Sequence, residues 1–107
     1  MSFAISFSDV QSAAERLCNV ATVTPIHTSR TLNAMPGREI FIKCENFQRT
    51  GSFKFRGAYN AINRLSAEQL RKGIVAFSSG NHGQAVALSA KLHHAPAVIV
   101  CPSDAVP

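Results

Sequence analysis

An α/β fold with a parallel sheet and flanking helices is what this sequence predicts, and three observations predict it. Two short apolar runs, "IVAFS" from Ile74 and "AVIVCP" from Ala97, have the unbroken β-branched character of strands buried on both faces. A turn feeding a helix, "SGNHGQAVALSAKLHH", separates them, and a helix-period stripe with a third strand candidate precedes them. Strands alternating with helices give parallel pairing through right-handed crossovers.

The elements follow in order. "SFSDVQSAAERLCNV" reads as a helix, with Ser8 as its expected cap, Asp9 in its first turn, and Val10, Ala13, Ala14 and Leu17 on one apolar face. "TVTPIHTSRTLNAMPGRE" reads as a connector, because Pro25 disfavours helix before it and Pro36-Gly37 makes a turn. "EIFIKCE" alternates as a strand from Ile40 to Glu45. After an irregular stretch a helix should begin between Gly51 and Lys54, with Phe55, Ala58, Tyr59, Ile62 and Leu65 along one stripe. "SAEQLRKG" carries a capping box, Ser66 to Gln69, and a glycine stop at Gly73. Residues 1–107 read as a single α/β segment without repeats or linkers, and as an incomplete one. "CPSDAVP" follows directly on a strand's carboxyl end, where open α/β sheets place ligands.

Composition narrows the function. With 46% hydrophobic and 16% charged residues the chain is globular rather than disordered. No apolar run approaches the roughly 20 residues that span a bilayer, and the start lacks the pattern of a secretory signal. Cys18, Cys44 and Cys101 fit neither a disulfide framework nor a zinc site, so free thiols in a reducing cytoplasm are expected. The net charge of +5 is scattered, with no run longer than Arg71-Lys72 and no aromatic-basic platform, which argues against nucleic acid. His93-His94 closes a helix, and its bland reading is a helix C-terminus rather than a metal site.

Two stretches carry chemistry. In "TGSFKFRGA", Lys54 stands between Phe53 and Phe55, with Arg56 next and Gly51 and Gly57 at the margins. Aromatic desolvation, a neighbouring cation and a helix N-terminus all favour the neutral, nucleophilic amine. The plain alternative is a lysine snorkelling from an amphipathic helix. In "SSGNHGQ", small residues at a strand-to-helix junction let backbone N–H groups approach an anion, with Ser78, Ser79, Asn81 and His82 adding donors. The plain alternative is a turn capped by Ser79 or Asn81. A reactive amine together with a carboxylate-sized cradle is what an amino-acid enzyme with a carbonyl cofactor needs.

"ENFQRTGSFKFRGAYNAI" with "SSGNHGQAVALSAKL", supported by "TPIHTSRTLN" and "IVCPSDAVP", resembles the serine/threonine dehydratase and serine racemase family. These are fold type II, tryptophan synthase β-like enzymes that use pyridoxal 5'-phosphate, and the resemblance runs from about Thr24 onward. It implies that Lys54 binds the cofactor covalently and acts as acid/base on its si face. It implies that Phe53 lies beside the cofactor ring and Asn81 bonds the ring hydroxyl. Ser78, Ser79, Asn81 and His82 would grip the substrate carboxylate, and Ser79 would be the opposing acid/base of racemase members. The implied reaction removes the α-proton and the β-hydroxyl of L-serine or L-threonine, giving a 2-oxo acid and ammonia, with racemisation as a companion activity. The implied setting is cytoplasmic amino-acid metabolism, isoleucine biosynthesis included, with a small amino-acid substrate, a homo-oligomer of the full-length enzyme, and neither nucleic acid nor membrane as partner. Arg49 and Thr50 match a region that contributes to nucleotide effector binding in racemase-like members.

Family members are much longer than 107 residues. The loop that clasps the cofactor phosphate, the residue that meets the pyridine nitrogen and the racemase-type divalent-cation site are all expected beyond Pro107. This chain is therefore expected to be an N-terminal fragment that supplies no metal ligand. The residues leave open a second reading: a non-catalytic remnant, inactive alone or folded only with a partner.

Overall fold

The computed structural model of the chain describes residues 4–105. Two masses of structure run in chain order: an N-terminal arm and a compact helix–sheet unit. The arm begins with helix α1, Phe7–Leu17. Ser6, not Ser8, caps it. Counting three residues from Ser6 lands on Asp9, so the two close a reciprocal box in which Ser6 N donates to Asp9 Oδ2 at 2.7 Å and Asp9 N to Ser6 Oγ at 3.4 Å. The Ser6 hydroxyl, which donates to Asp9 Oδ2 at 2.6 Å, and then the Ser6 amide hold the Asp9 carboxyl below its ordinary range.

The connector after α1 is more ordered than its loop-like sequence predicts. It forms a two-residue strand β1, Ile26–His27, which takes His27 out of the expected loop, and a one-turn helix α2, Arg30–Ala34, capped by Ser29. The expected strand from Ile40 to Glu45 shrinks to β2, Ile42–Lys43, paired antiparallel with β1. Its far end turns away because Glu45 starts a 3₁₀ turn, Glu45–Phe47, with a second at Arg49–Gly51. The first strand is thus separate from the parallel sheet.

The compact unit opens with α3, Lys54–Asn63, whose stripe buries Phe55, Ala58 and Ile62. Tyr59 is half-buried, and Leu65 lies beyond the helix end. Helix α4, Ala67–Lys72, has the expected Ser66–Gln69 box and ends at Gly73. Strands β3, Ile74–Phe77, and β4, Ala97–Val100, pair in parallel with Ile74 opposite Ala97 and Phe77 opposite Val100. Helix α5, Asn81–Leu92, crosses between them and packs on α3.

Phe55, Ala58, Ile62, Ala85 and Val86 form the core, with Ile74, Ala76 and Ile99 packed against it from the sheet. Gly83 explains how closely α5 lies on the sheet: a Cβ there would stand 2.9 Å from Ile99 Cγ2. The opposite sheet face, with Val75, Phe77, Val98 and Val100, is exposed. Met1, Ser2 and Phe3 of the opening stretch and Val106 and Pro107 of "CPSDAVP" lie outside the described residues.

Candidate active site

The carboxyl ends of β3 and β4 and the first turns of α3 and α5 converge on one cavity of about 770 Å³, within the range of small-ligand pockets. Its wall is Lys54, Phe77, Ser78, Ser79, His82, Val100, Cys101 and Pro102. The two stretches singled out by chemistry, 24 positions apart by the numbering of Lys54 and Ser78, therefore meet in one place. The strand end continues through Ser78, whose N–H donates to the Val100 carbonyl at 2.9 Å.

Lys54 is the first residue of α3. Its Nζ stands 5.1 Å from the centre of the Phe53 ring and makes no hydrogen bond or ion pair among the described residues. Two sequence expectations fail here. Lys54 is exposed rather than wrapped by aromatic rings, since Phe53 is itself exposed and Phe55 points into the core at 0% exposure. The neighbouring cation, Arg56, is bound elsewhere: Nε donates to Glu45 Oε2 at 2.7 Å and Nη2 to Glu45 Oε1 at 2.8 Å. The Arg56 bond, reinforced by the Thr24 hydroxyl at 2.6 Å, outweighs burial and brings the Glu45 carboxyl down to about 2. Glu45 in turn raises the pKa of the Arg56 guanidinium.

The turn before Lys54 is strained. Thr50 has φ 61 and Gly51 φ 70, two consecutive left-handed residues. For a β-branched threonine that conformation costs on the order of 1–3 kcal/mol, and such outliers concentrate at functional sites.

On the other side of the cavity, Gly80 stands at the N-cap of α5 and no side chain caps the helix. The plain alternative of a turn capped by Ser79 or Asn81 is therefore not what forms. Ser78 Oγ accepts from Gly80 N at 3.2 Å, which shapes the turn and leaves the helix's leading amides uncapped by side chains. Uncapped N–H groups and the helix dipole favour an anion at this end. Ser79 and His82 share the cavity wall with Lys54, whereas Asn81 and Phe53, both exposed, are not part of that wall and only neighbour its residues in sequence.

An unpaired amine for a carbonyl, a ring beside it and hydroxyl and amide donors for an anion fit one end of a pyridoxal-phosphate site. The family comparison agrees. The family described as "Pyridoxal-phosphate dependent enzyme" matches residues 18–107. This chain belongs to that family. It is 60% identical to an L-threo-3-hydroxyaspartate ammonia-lyase from Pseudomonas sp over 100 residues, 94% of this chain and 31% of the relative. Maize serine racemase matches with TM-score 0.87 and 46% identity, over 94% of this chain and 31% of that one. The T.th. threonine deaminase matches with TM-score 0.80 and 38% identity, over 92% of this chain and 34% of that one. The chain thus spans about a third of the length of the relatives it matches, and its α/β architecture is that of the N-terminal part of these fold type II enzymes.

Sequence reasoning placed a ligand at the carboxyl end of the strand before "CPSDAVP" but named no residue of the cavity wall there. Val100, Cys101 and Pro102 enter it because β4 runs parallel to β3 and ends level with it, a consequence of register that no local motif announces. Among the described residues no group of metal-ligating side chains converges. His93 is engaged instead in structure: Nδ1 donates to the Ser89 carbonyl at 2.8 Å, Asn63 Nδ2 donates to Nε2 at 3.2 Å, and the ring lies against Tyr59.

Proposed function

We propose that this chain carries the lysine-bearing, carboxylate-binding part of a pyridoxal-phosphate ammonia-lyase acting on L-serine or L-threonine. The single observation that carries the reading is the cavity shared by Lys54, Ser78, Ser79 and His82. Bound pyridoxal phosphate would supply the electron sink that makes the amino acid's α-hydrogen acidic. Lys54 would hold its carbonyl end, with Phe53 and Asn81 flanking the ring. Ser78, Ser79, His82 and the leading amides of α5 would take the substrate carboxylate, fixing which bond at the α-carbon faces Lys54. Lys54 Nζ would then accept the α-proton, and loss of the β-hydroxyl would lead to the 2-oxo acid and ammonia.

Racemisation is a second outcome of the same site, favoured by one feature: the Ser79 hydroxyl stands in the same wall as Lys54 and offers a second proton carrier. The names of the relatives, ammonia-lyase, racemase and threonine deaminase, support both outcomes. A cytoplasmic place in amino-acid metabolism, isoleucine biosynthesis included, and a homo-oligomeric assembly go with this reading. Free thiols at Cys18, Cys44 and Cys101 support the reducing compartment.

The test mixes the chain with pyridoxal phosphate, reduces with borohydride and maps the modified lysines by mass spectrometry. Labelling concentrated at Lys54 is the expected result. Label spread evenly over Lys43, Lys54, Lys72 and Lys91 would overturn the reading and favour a non-catalytic remnant.

A further inference from the structure

A cluster of polar side chains ties the first turn of α3 to the connector before it, and the function proposed above assigns it nothing. Arg56, two positions after Lys54, grips Glu45 through two nitrogens and also donates from Nη2 to the Thr22 carbonyl at 3.2 Å. Thr24 Oγ1 donates to Glu45 Oε1 at 2.6 Å. Gln48, buried at 3% exposure, accepts from Thr22 N at 2.8 Å and donates to Thr22 O at 2.9 Å. Its Oε1 also accepts from Arg49 N at 3.0 Å. A forked guanidinium–carboxylate pair fixes direction as well as distance.

Lys54 has the opposite character. No polar side chain steers its Nζ among the described residues, and Phe53 gives α3 no side-chain cap. The lysine's aim is therefore set by its backbone, the turn that Arg56 N closes on Phe53 O at 3.1 Å. That turn follows directly on the left-handed pair Thr50-Gly51, and left-handed threonine persists only where its surroundings over-determine it. Gln48 anchors the chain before the strained pair, and Arg56 anchors it after.

We propose that Glu45 and Arg56 are positioning residues for Lys54: their forked pair locks the first turn of α3 so that the amine stands in the cavity it shares with Ser79. The inference rests on Lys54 being the reactive amine of the proposed function. Arg56 acts mechanically, through the backbone, and not as a charge beside the amine.

The experiment labels the chain with pyridoxal phosphate and cyanoborohydride and measures the ratio of label at Lys54 to label at Lys72, an exposed lysine that serves as internal reference. Glu45→Gln and Arg56→Lys are each expected to lower that ratio about tenfold, the low end of what supporting partners contribute at functional sites. Labelling at Lys72 should stay constant. The exchanged pair Glu45→Arg with Arg56→Glu should recover part of the ratio, which general destabilisation would not allow. If either single variant loses its folded circular dichroism signal, Thr24→Val carries the test, because it removes only one bond to Glu45. It must then lower the ratio with an unchanged melting curve. A selective wild type whose ratio is unmoved by these variants overturns the positioning role alone. An unselective wild type overturns the proposed function, and the positioning role with it.

Discussion

Phe55, Ala58, Ile62, Ala85, Val86 and Ala90 are the buried apolar side chains of the described residues, and every one lies on α3 or α5. Ahead of Phe55 the buried side chains are Thr24, Gln48 and Ser52, all polar. The compact unit is held by apolar burial, and the polar ties that fasten the arm to it are Arg56 to Glu45 and Arg16 Nε to Asn60 Oδ1 at 2.7 Å, beside the half-buried Val20 and Ala21 that pack on the core; Gln48 to Thr22 ties the arm to itself. Apolar contacts are indifferent to protons, whereas a carboxylate fork depends on its charge. The lysine sits at the seam, so its carrier helix depends on both kinds of force.

The strongest way to break the compact unit is Phe55→Ala. A fully buried phenylalanine lost to alanine costs about 3–5 kcal/mol, through lost transfer energy and the cavity left behind. Chemical denaturation should show that loss, and the arm should detach together with the core because its anchor, Arg56, rides on α3. Gly83→Val comes next. Its Cβ would meet Ile99 Cγ2 at 2.9 Å, and overpacking of this kind costs about 1–3 kcal/mol. Combining it with Ile99→Ala should recover part of the loss, because the clash is with a side chain.

Acid sharpens the comparison from the other side. Glu45 falls from 4.5 to about 2 in the folded chain, so its contribution is fully present above pH 4.5 and is lost as pH falls toward 2. With its partner Arg56 one-third exposed and screened by solvent, that contribution is on the order of 2 kcal/mol. Hydrogen exchange across this window should show amides around Thr22 and Thr24 losing protection before those of α5. Glu45→Gln should flatten the pH dependence of the arm and leave the core untouched.

The same division governs what was legible in the sequence. The Ser66–Gln69 box, the stop at Gly73 and the two apolar strands are written in residues within a few positions of each other, and they form where they were read, although strands expected to be buried on both faces leave Val75, Phe77, Val98 and Val100 exposed. The pairing of "GSFKFRG" with "SSGNHGQ" was legible because each stretch carries its own chemistry. The arm was misread because its determinants are distant. Strand β2 stops at Lys43 since Glu45 answers to Arg56, eleven positions on, and the Ser8 cap yields to Ser6 through a bond geometry that a run of serines does not rank. Arg56 itself reads as an activating charge beside Lys54 until its partner is placed, and only the fold places it.

The smallest expected effect isolates why one ion pair anchors and another does not. Lys72 Nζ lies 2.9 Å from Glu68 Oε1 on α4, at helical spacing, with both side chains about 70% exposed. Each ion there keeps most of its water, one nitrogen meets one oxygen, and two long side chains lose freedom to hold the contact. Lys72→Ala should therefore change stability by less than about 0.5 kcal/mol, at any pH between about 4 and 8. The Glu45 carboxylate, at 17% exposure, has two arginine nitrogens and a threonine hydroxyl in place of that water. Removing Arg56 would leave it half-desolvated without a counter-charge, which is where the cost arises. If Lys72→Ala and Arg56→Ala proved equally mild in the same denaturation series, the arm would be held by something other than its charged fork, and the division between the two regions would have to be redrawn.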